Sequence, residues 1–141
     1  MPGEPTTTPS SEADDALAGR ALEALEHAYS PYSRFRVGAA LLAEDGRVFT
    51  GCNVENASFG LTWCAERTAV VKAVSEGARR FRAMAIATDQ ERPVMPCGAC
   101  RQVLHEFAPE LRLLVVSRSG RRYETFLGHL LPEAFGPGDL R

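Results

Sequence analysis

Apolar residues recur along the chain at two spacings, one typical of helices and the other typical of strands. Between residues 14 and 29 they follow helical spacing, which predicts a helix. Pro31 closes this helix because the residue before a proline is forced out of the helical region. Further along, the pattern predicts a hairpin over 37–54 with its turn at 44–47, helices over 64–76, 97–107 and 127–131, and strands over 83–87, 111–116 and 123–126.

The order of these elements is a helix, a hairpin, and then helices and strands in alternation. This order predicts a layered α/β domain in which helices cover one mixed sheet of five strands. Residues 1–13 are rich in Pro, Thr, Ser, Asp and Glu, and we interpret them as a flexible N-terminal tail. Residues 14–141 then form a single domain. Ligand sites in such sheets often lie where helices begin at strand ends.

Composition and charge narrow the classes of function. The chain of 141 residues carries 16 basic and 18 acidic side chains, and its net charge of -2 argues against a nucleic-acid-binding protein. No apolar stretch approaches the roughly 20 residues that a membrane span needs. The N-terminus lacks the basic start and apolar segment of a secretory signal. We therefore expect a cytoplasmic protein whose four cysteines are metal ligands, catalytic groups or core residues rather than disulfides.

Three of the cysteines lie at predicted helix starts. Cys97 and Cys100 form a Cys-x-x-Cys pair, and Cys64 begins the earlier helix with Glu66 two residues beyond it. Free N–H groups and the partial positive charge at a helix start favour the thiolate, which is the form that binds zinc. A structural zinc site is closed by four protein ligands, whereas a catalytic one keeps a position for water. Three cysteines beside a glutamate that is not a ligand match the open, catalytic kind.

Other interpretations of these residues remain open at this stage. The Cys-x-x-Cys pair is also found in redox proteins. Cys52 is a candidate fourth ligand of a structural zinc site. Glu66 is also a favourable acid for a first helical turn, and Arg67 is either a surface charge or a donor to a ligand sulfur that withdraws charge from the metal. The histidines lack ligand spacing to the cysteines, and we expect surface or packing roles for His27, His105 and His129.

The cysteine motifs and several longer segments resemble a known family. Cys64-Ala65-Glu66 followed by Pro96-Cys97-Gly98-Ala99-Cys100 resembles the zinc deaminase signature, in which the glutamate is not a ligand. The chain as a whole is similar to the cytidine deaminases in segments 29–40, 51–57, 64–69, 96–102 and 130–137. The resemblance implies a three-layer α/β/α fold and the hydrolytic deamination of cytidine and deoxycytidine to uridine and deoxyuridine in pyrimidine salvage. It also implies a homotetramer whose active sites are shared between subunits.

The same resemblance implies a role for particular residues. Zinc would be held by Cys64, Cys97 and Cys100, and Glu66 would shuttle protons between zinc-bound hydroxide and the base. Arg67 and Gln102 would support the metal ligands. The substrate would contact Phe35 at the pyrimidine ring, Asn53 and Glu55 at the ribose hydroxyls, Ala65 in the pocket, and Phe135 from a neighbouring subunit.

Two positions depart from the family pattern. The family often has tyrosine at the position of Phe59 and a smaller residue at the position of Trp63. The range of nucleosides is therefore left open, and a deaminase of a modified cytosine nucleoside, of the blasticidin S type, is the nearest alternative. A more distant alternative is a non-catalytic zinc module in which Cys52 completes the site.

Overall fold

The computed structural model describes residues 11–140, and the first predicted element is present in it. Helix α1 (Glu12–Leu25) begins inside the segment that we assigned to the tail, and Ser11 caps it by accepting a hydrogen bond from the Asp14 amide at 3.1 Å. The rest of the predicted tail, residues 1–10, lies outside the described residues. The helix ends before the predicted residue 29, because the Tyr29 amide donates instead to the carbonyl oxygen of Asn53 at 2.9 Å.

The remaining elements follow the predicted order. The strands are β1 (Val37–Ala43), β2 (Val48–Cys52), β3 (Phe81–Thr88), β4 (Arg112–Ser117) and β5 (Arg122–Phe126). The helices after α1 are α2 (Ala65–Ser75), α3 (Gly98–Phe107) and the short α4 (Leu127–Leu130). Two short 3-10 helices that the sequence analysis did not predict cover Phe59–Leu61 and Pro137–Leu140.

The five strands form one mixed sheet in the order β2-β1-β3-β4-β5. Only β3 and β4 run parallel, and the other neighbouring pairs are antiparallel. The connection between the parallel strands passes through α3, as a parallel crossover requires. The predicted mixed five-stranded sheet is therefore present.

Helices pack on both faces of this sheet. On one face, α1 buries Leu17, Ala21 and Leu25 against alternate residues of the central strands, such as Ala40 and Ala85. On the other face, α2 and α3 bury a larger cluster whose members include Ala69, Val70, Met84, Ile86 and Leu104. This arrangement gives three layers and confirms the predicted fold. None of the helices within residues 11–140 is long and apolar enough to cross a membrane.

Candidate metal centre and active site

Three cysteine sulfurs meet where α2 and α3 begin. Cys64 is the N-cap of α2, Cys97 is the N-cap of α3, and Cys100 lies in the first turn of α3. Their Sγ atoms all lie within 4.8 Å of one another, and the Sγ atoms of Cys97 and Cys100 are 3.4 Å apart. A tetrahedral zinc ion with bonds of about 2.3 Å needs sulfurs about 3.8 Å apart. The three sulfurs therefore have the spacing that a single zinc ion requires.

The protonation of the cysteines follows from their surroundings. The pKa of the Cys64 thiol is lowered to about 5, first by a hydrogen bond from Cys100 and then by the Arg67 guanidinium. The pKa of Cys100 is raised, because its proton is held in that hydrogen bond and its side chain is buried. One thiolate is thus stabilised before any metal is bound, and metal binding would displace the remaining thiol protons.

Arg67 lies directly behind the first cysteine. Its Nη2 atom donates to Cys64 Sγ at 3.4 Å and to the Thr62 carbonyl oxygen at 3.2 Å. The guanidinium carbon also lies 5.7 Å from the centre of the Trp63 ring, which is within the range of a cation–π contact. Arg67 therefore donates to the sulfur of a candidate ligand, which is one of the two roles that the sequence left open for it. Trp63 packs against this arginine and is not among the residues that line the pocket in front of the cysteines.

Glu66 is the second residue of α2 and is buried, with 6% of its surface exposed. Burial is the main cause that raises the pKa of its carboxyl group to about 7, and the nearby charge of Cys64 contributes to the same rise. A carboxyl group with a pKa near neutrality can both accept and release a proton at physiological pH, which suits a general acid and base.

A cavity of about 420 Å³ opens in front of Glu66 and the cysteines. Its volume falls in the usual range for small-molecule sites, about 300–1,000 Å³. It lies at the carboxyl end of β3, which contributes Ile86 and Thr88. The predicted site residues that line it are Phe35, Asn53, Glu55, Cys64, Ala65, Glu66 and Cys97.

Asn53 and Glu55 both line this cavity, but they lie beyond the end of β2. The buried Asn53 amide donates to the Phe35 carbonyl oxygen at 2.8 Å and accepts from the Val37 amide at 2.9 Å. Its side chain therefore holds the backbone that carries Phe35. An amide group has two N–H donors and two acceptor positions, so one of each remains for a ligand.

Glu55 is bonded to the loop that precedes Phe35. Its Oε1 atom accepts hydrogen bonds from the amides of Tyr32 at 3.0 Å and Ser33 at 3.1 Å, and its Oε2 atom accepts one from the Ser33 hydroxyl. The Ser33 hydroxyl is the largest cause of the lowered pKa of Glu55. The carboxylate is thus charged and held in one orientation at the edge of the cavity.

Four predicted site residues do not line the cavity, namely Cys100, Arg67, Gln102 and Phe135. Phe135 is 58% exposed on the C-terminal segment. Gln102, which we expected to support a metal ligand, donates from its amide nitrogen to the Phe135 carbonyl oxygen at 2.8 Å. This hydrogen bond ties α3 to the C-terminal segment.

Several cavity residues were missed by the sequence analysis. Ser33 and Thr62 line the same side as Glu55, and Val94 and Met95 line the approach to Cys97. The position of Val94 and Met95 immediately before the Pro96-Cys97 motif could have indicated this role. Ser33 and Thr62 are ordinary turn residues in the sequence, and only long-range contacts bring them to the site.

The remaining candidate ligands do not join the centre. Within residues 11–140, the only group of three or more metal-binding side chains whose ligand atoms lie together is that of Cys64, Cys97 and Cys100. Cys52 instead pairs with Gly38 in the β1–β2 ladder, and burial raises the pKa of its thiol. This placement removes the support for a closed site with four cysteines.

Comparison with known proteins agrees with this geometry. Residues 11–116 match the model of the cytidine and deoxycytidylate deaminase zinc-binding region. The chain belongs to this family. It is 50% identical over 127 residues to the cytidine deaminase of Sporosarcina psychrophila, which covers 89% of this chain and 93% of that protein. It is also 52% identical over 125 residues to the cytidine deaminase of Halalkalibacterium halodurans, covering 88% of this chain and 95% of that protein.

Solved structures of cytidine deaminases share the fold of this chain. The crystal structure of cytidine deaminase from Burkholderia pseudomallei superposes with a TM-score of 0.83 at 50% identity, covering 86% of this chain and 98% of that one. Cytidine deaminase from Mycobacterium tuberculosis gives a TM-score of 0.77 at 47% identity, covering 90% and 99%. The family resemblance in the sequence and the predicted fold class are thus both confirmed.

Proposed function

We propose that this protein catalyses the hydrolytic deamination of cytidine and deoxycytidine to uridine and deoxyuridine, with release of ammonia. The observation that carries the proposal is the buried Glu66 carboxyl group beside the three-cysteine cluster, in a cavity of nucleoside size. The relatives that are about 50% identical over most of this chain are cytidine deaminases, which supports the choice of a cytosine nucleoside.

The metal of this site would be zinc, held by Cys64, Cys97 and Cys100. When bound, zinc supplies a Lewis acid that makes water a nucleophile near neutral pH. Three thiolates would donate much charge to this metal, and Arg67, whose Nη2 atom donates to Cys64 Sγ at 3.4 Å, would withdraw part of it.

Glu66 carries the proton transfers. It takes a proton from the attacking water and gives it to N3 of the pyrimidine while the water oxygen adds to C4. It then delivers the second water proton to the amino group, and the C4–N bond breaks to release ammonia. One carboxyl group serves as base and then as acid, which a pKa of about 7 permits.

The cavity walls would recognise the rest of the substrate. Phe35 packs against the pyrimidine ring, and Ala65 lies beside it at the first turn of α2. Asn53 retains one amide N–H for a sugar hydroxyl, and Glu55 retains part of its acceptor capacity for another.

The protein would act in pyrimidine salvage, in the cytoplasm and as a homotetramer. The exposed Phe135 supports the shared-site assembly, because a large aromatic side chain with 58% of its surface exposed is suited to a neighbour's pocket.

The test is ammonia release from a panel of ribo-, deoxyribo- and modified cytosine nucleosides, measured together with the zinc-to-protein ratio. Release from cytidine and deoxycytidine at one zinc per chain is the expected result. Turnover of only a modified nucleoside would move the assignment to the blasticidin S type. One zinc per chain without release from any nucleoside would instead indicate a non-catalytic module.

Two variants separate the metal from the proton shuttle. Glu66→Gln should keep its zinc and lose at least about 10²-fold in turnover, because the side chain can no longer carry a proton. Cys97→Ala should lose zinc and activity together. Near-normal turnover of Glu66→Gln would contradict the role given to that carboxyl group.

A further inference from the structure

The hydroxyl group of Ser33 connects Glu55 and Phe35, which are proposed to contact the sugar and the base of the substrate. It donates to Glu55 Oε2 and accepts a hydrogen bond from the Phe35 amide at 3.0 Å. Ser33 itself lines the cavity. A single side chain therefore joins the carboxylate on the sugar side of the pocket to the aromatic residue on the base side.

The loop that carries Ser33 turns sharply to make this connection. Arg34 adopts the left-handed backbone conformation with φ of 58°, and its amide donates to the Ser30 carbonyl oxygen at 3.0 Å. Ser33 and Phe35, on either side of Arg34, both line the cavity. The conformation is unfavourable for a non-glycine residue and needs support from its surroundings.

Glu55 provides much of that support through three hydrogen bonds to the loop, and the same bonds orient its carboxylate. A carboxylate has about four acceptor positions. Two are taken by the amides of Tyr32 and Ser33 and a third by the Ser33 hydroxyl. The position that remains can accept one hydroxyl group of a ligand, and its direction is set by the three bonds already made.

We propose that Ser33 is a positioning residue that directs the free acceptor position of Glu55 toward a sugar hydroxyl and so selects nucleosides that carry one. The proposal rests on the proposed function, since it assigns the sugar side of the same pocket. The two hydrogen bonds from backbone amides to Oε1 hold the carboxylate to the loop, whereas the hydrogen bond from the Ser33 hydroxyl fixes the rotation of the carboxylate. Loss of the hydroxyl leaves the loop attached and frees that rotation.

The test compares Ser33→Ala with the unmodified protein on cytidine and on a cytosine nucleoside whose sugar lacks both ring hydroxyls. The variant should raise KM for cytidine about tenfold while kcat changes less than about threefold, as expected for the loss of one charge-assisted hydrogen bond. The preference for cytidine over the hydroxyl-free nucleoside in kcat/KM should fall by a similar factor. Ser33→Thr keeps the hydroxyl and should restore both values.

Ser58→Ala is the matched control, because Ser58 is exposed and its side chain makes no capping hydrogen bond. It should behave as the unmodified protein does. If Ser33→Ala does not fold, Ser33→Cys keeps the side-chain volume with a weak donor, and its preference should fall part of the way.

Two results would overturn the proposal. One is an unchanged preference between the two nucleosides in Ser33→Ala, and the other is an equal rise in KM for both. A failure of the proposed function looks different, because the unmodified protein would then release no ammonia from cytidine.

Discussion

At Gly51 the sheet lies close to α2, the helix that carries Glu66, and replacement of Gly51 by alanine tests how the site is held. A Cβ atom at this position would lie 2.5 Å from the Ala65 carbonyl oxygen and 2.6 Å from the Ala69 amide nitrogen. Both atoms belong to the backbone of α2, so no side-chain rotation can relieve the contact. The shorter contact falls about 0.9 Å below the 3.4 Å at which ordinary van der Waals contact begins.

The helix must therefore move away from β2 by a large part of an ångström. Overpacking of a well-packed core costs about 1–3 kcal/mol, and rigid backbone on both sides places Gly51→Ala near the upper end. A loss of about 3 kcal/mol lowers the melting temperature of a domain of this size by about 10 °C. Glu66 moves with the helix, and a misplacement of about 1 Å can cost about 10²-fold in rate.

Urea denaturation and thermal melting at one fixed protein concentration measure the loss of stability, and kcat/KM for cytidine measures the loss of activity. Gly60→Ala is the control, because a Cβ atom there meets nothing within 4 Å and its φ lies outside the left-handed region. It should change the free energy of unfolding by less than about 0.5 kcal/mol. The reasoning is refuted if Gly51→Ala and Gly60→Ala have the same unfolding midpoint.

Two further predictions concern the ion pair between Asp14 of α1 and Arg112 of β4, and Cys52, which lies outside the three-cysteine cluster. The Arg112 guanidinium holds the pKa of the Asp14 carboxyl group below its ordinary value, so the stability due to this pair is complete above about pH 3.9 and is lost as the pH falls through the lowered pKa. Asp14→Asn should cost about 1.5–3 kcal/mol of unfolding free energy at pH 7, and a difference from the unmodified protein that persists undiminished at pH 2 would contradict this explanation. Cys52→Ala should keep one zinc per chain by metal analysis, in contrast to Cys97→Ala, and loss of zinc from Cys52→Ala would return Cys52 to the ligand set.

The elements that the sequence predicted best are those whose pattern is enforced by burial on the sheet. The strands over 83–87 and 111–116 correspond to β3 and β4, because their apolar runs lie between two layers of helices. The predicted end of α1 was wrong, because apolar spacing does not reveal backbone contacts with distant parts of the chain. Tyr29 leaves the helix because it forms a bridge with Val54, which is far from it in sequence.

The metal centre was predictable because its geometry is largely local. A Cys-x-x-Cys pair at a helix start brings its two sulfurs within 3.4 Å of each other through the helix alone. The approach of Cys64 required the packing of α2 and α3 on the same face of the sheet, and the sequence did not predict which helices share a face. The contact of Gln102 with the C-terminal segment could not be predicted, because it joins parts of the chain that are distant in sequence.

The location of the residues proposed to bind the sugar was predictable, but their hydrogen bonds were not. The family resemblance placed Asn53 and Glu55 together at the sugar, and both residues line one cavity. Glu55, however, gives three of its about four acceptor positions to the loop over residues 32–37, and Asn53 gives half of its hydrogen-bonding capacity to the same loop. What a ligand can use is the remainder, which is about one amide N–H and one acceptor position from Asn53 and one acceptor position from Glu55. In the proposed function, selectivity for sugar hydroxyls would therefore be set by the bonds that fold the loop, and residue identity alone does not reveal these bonds.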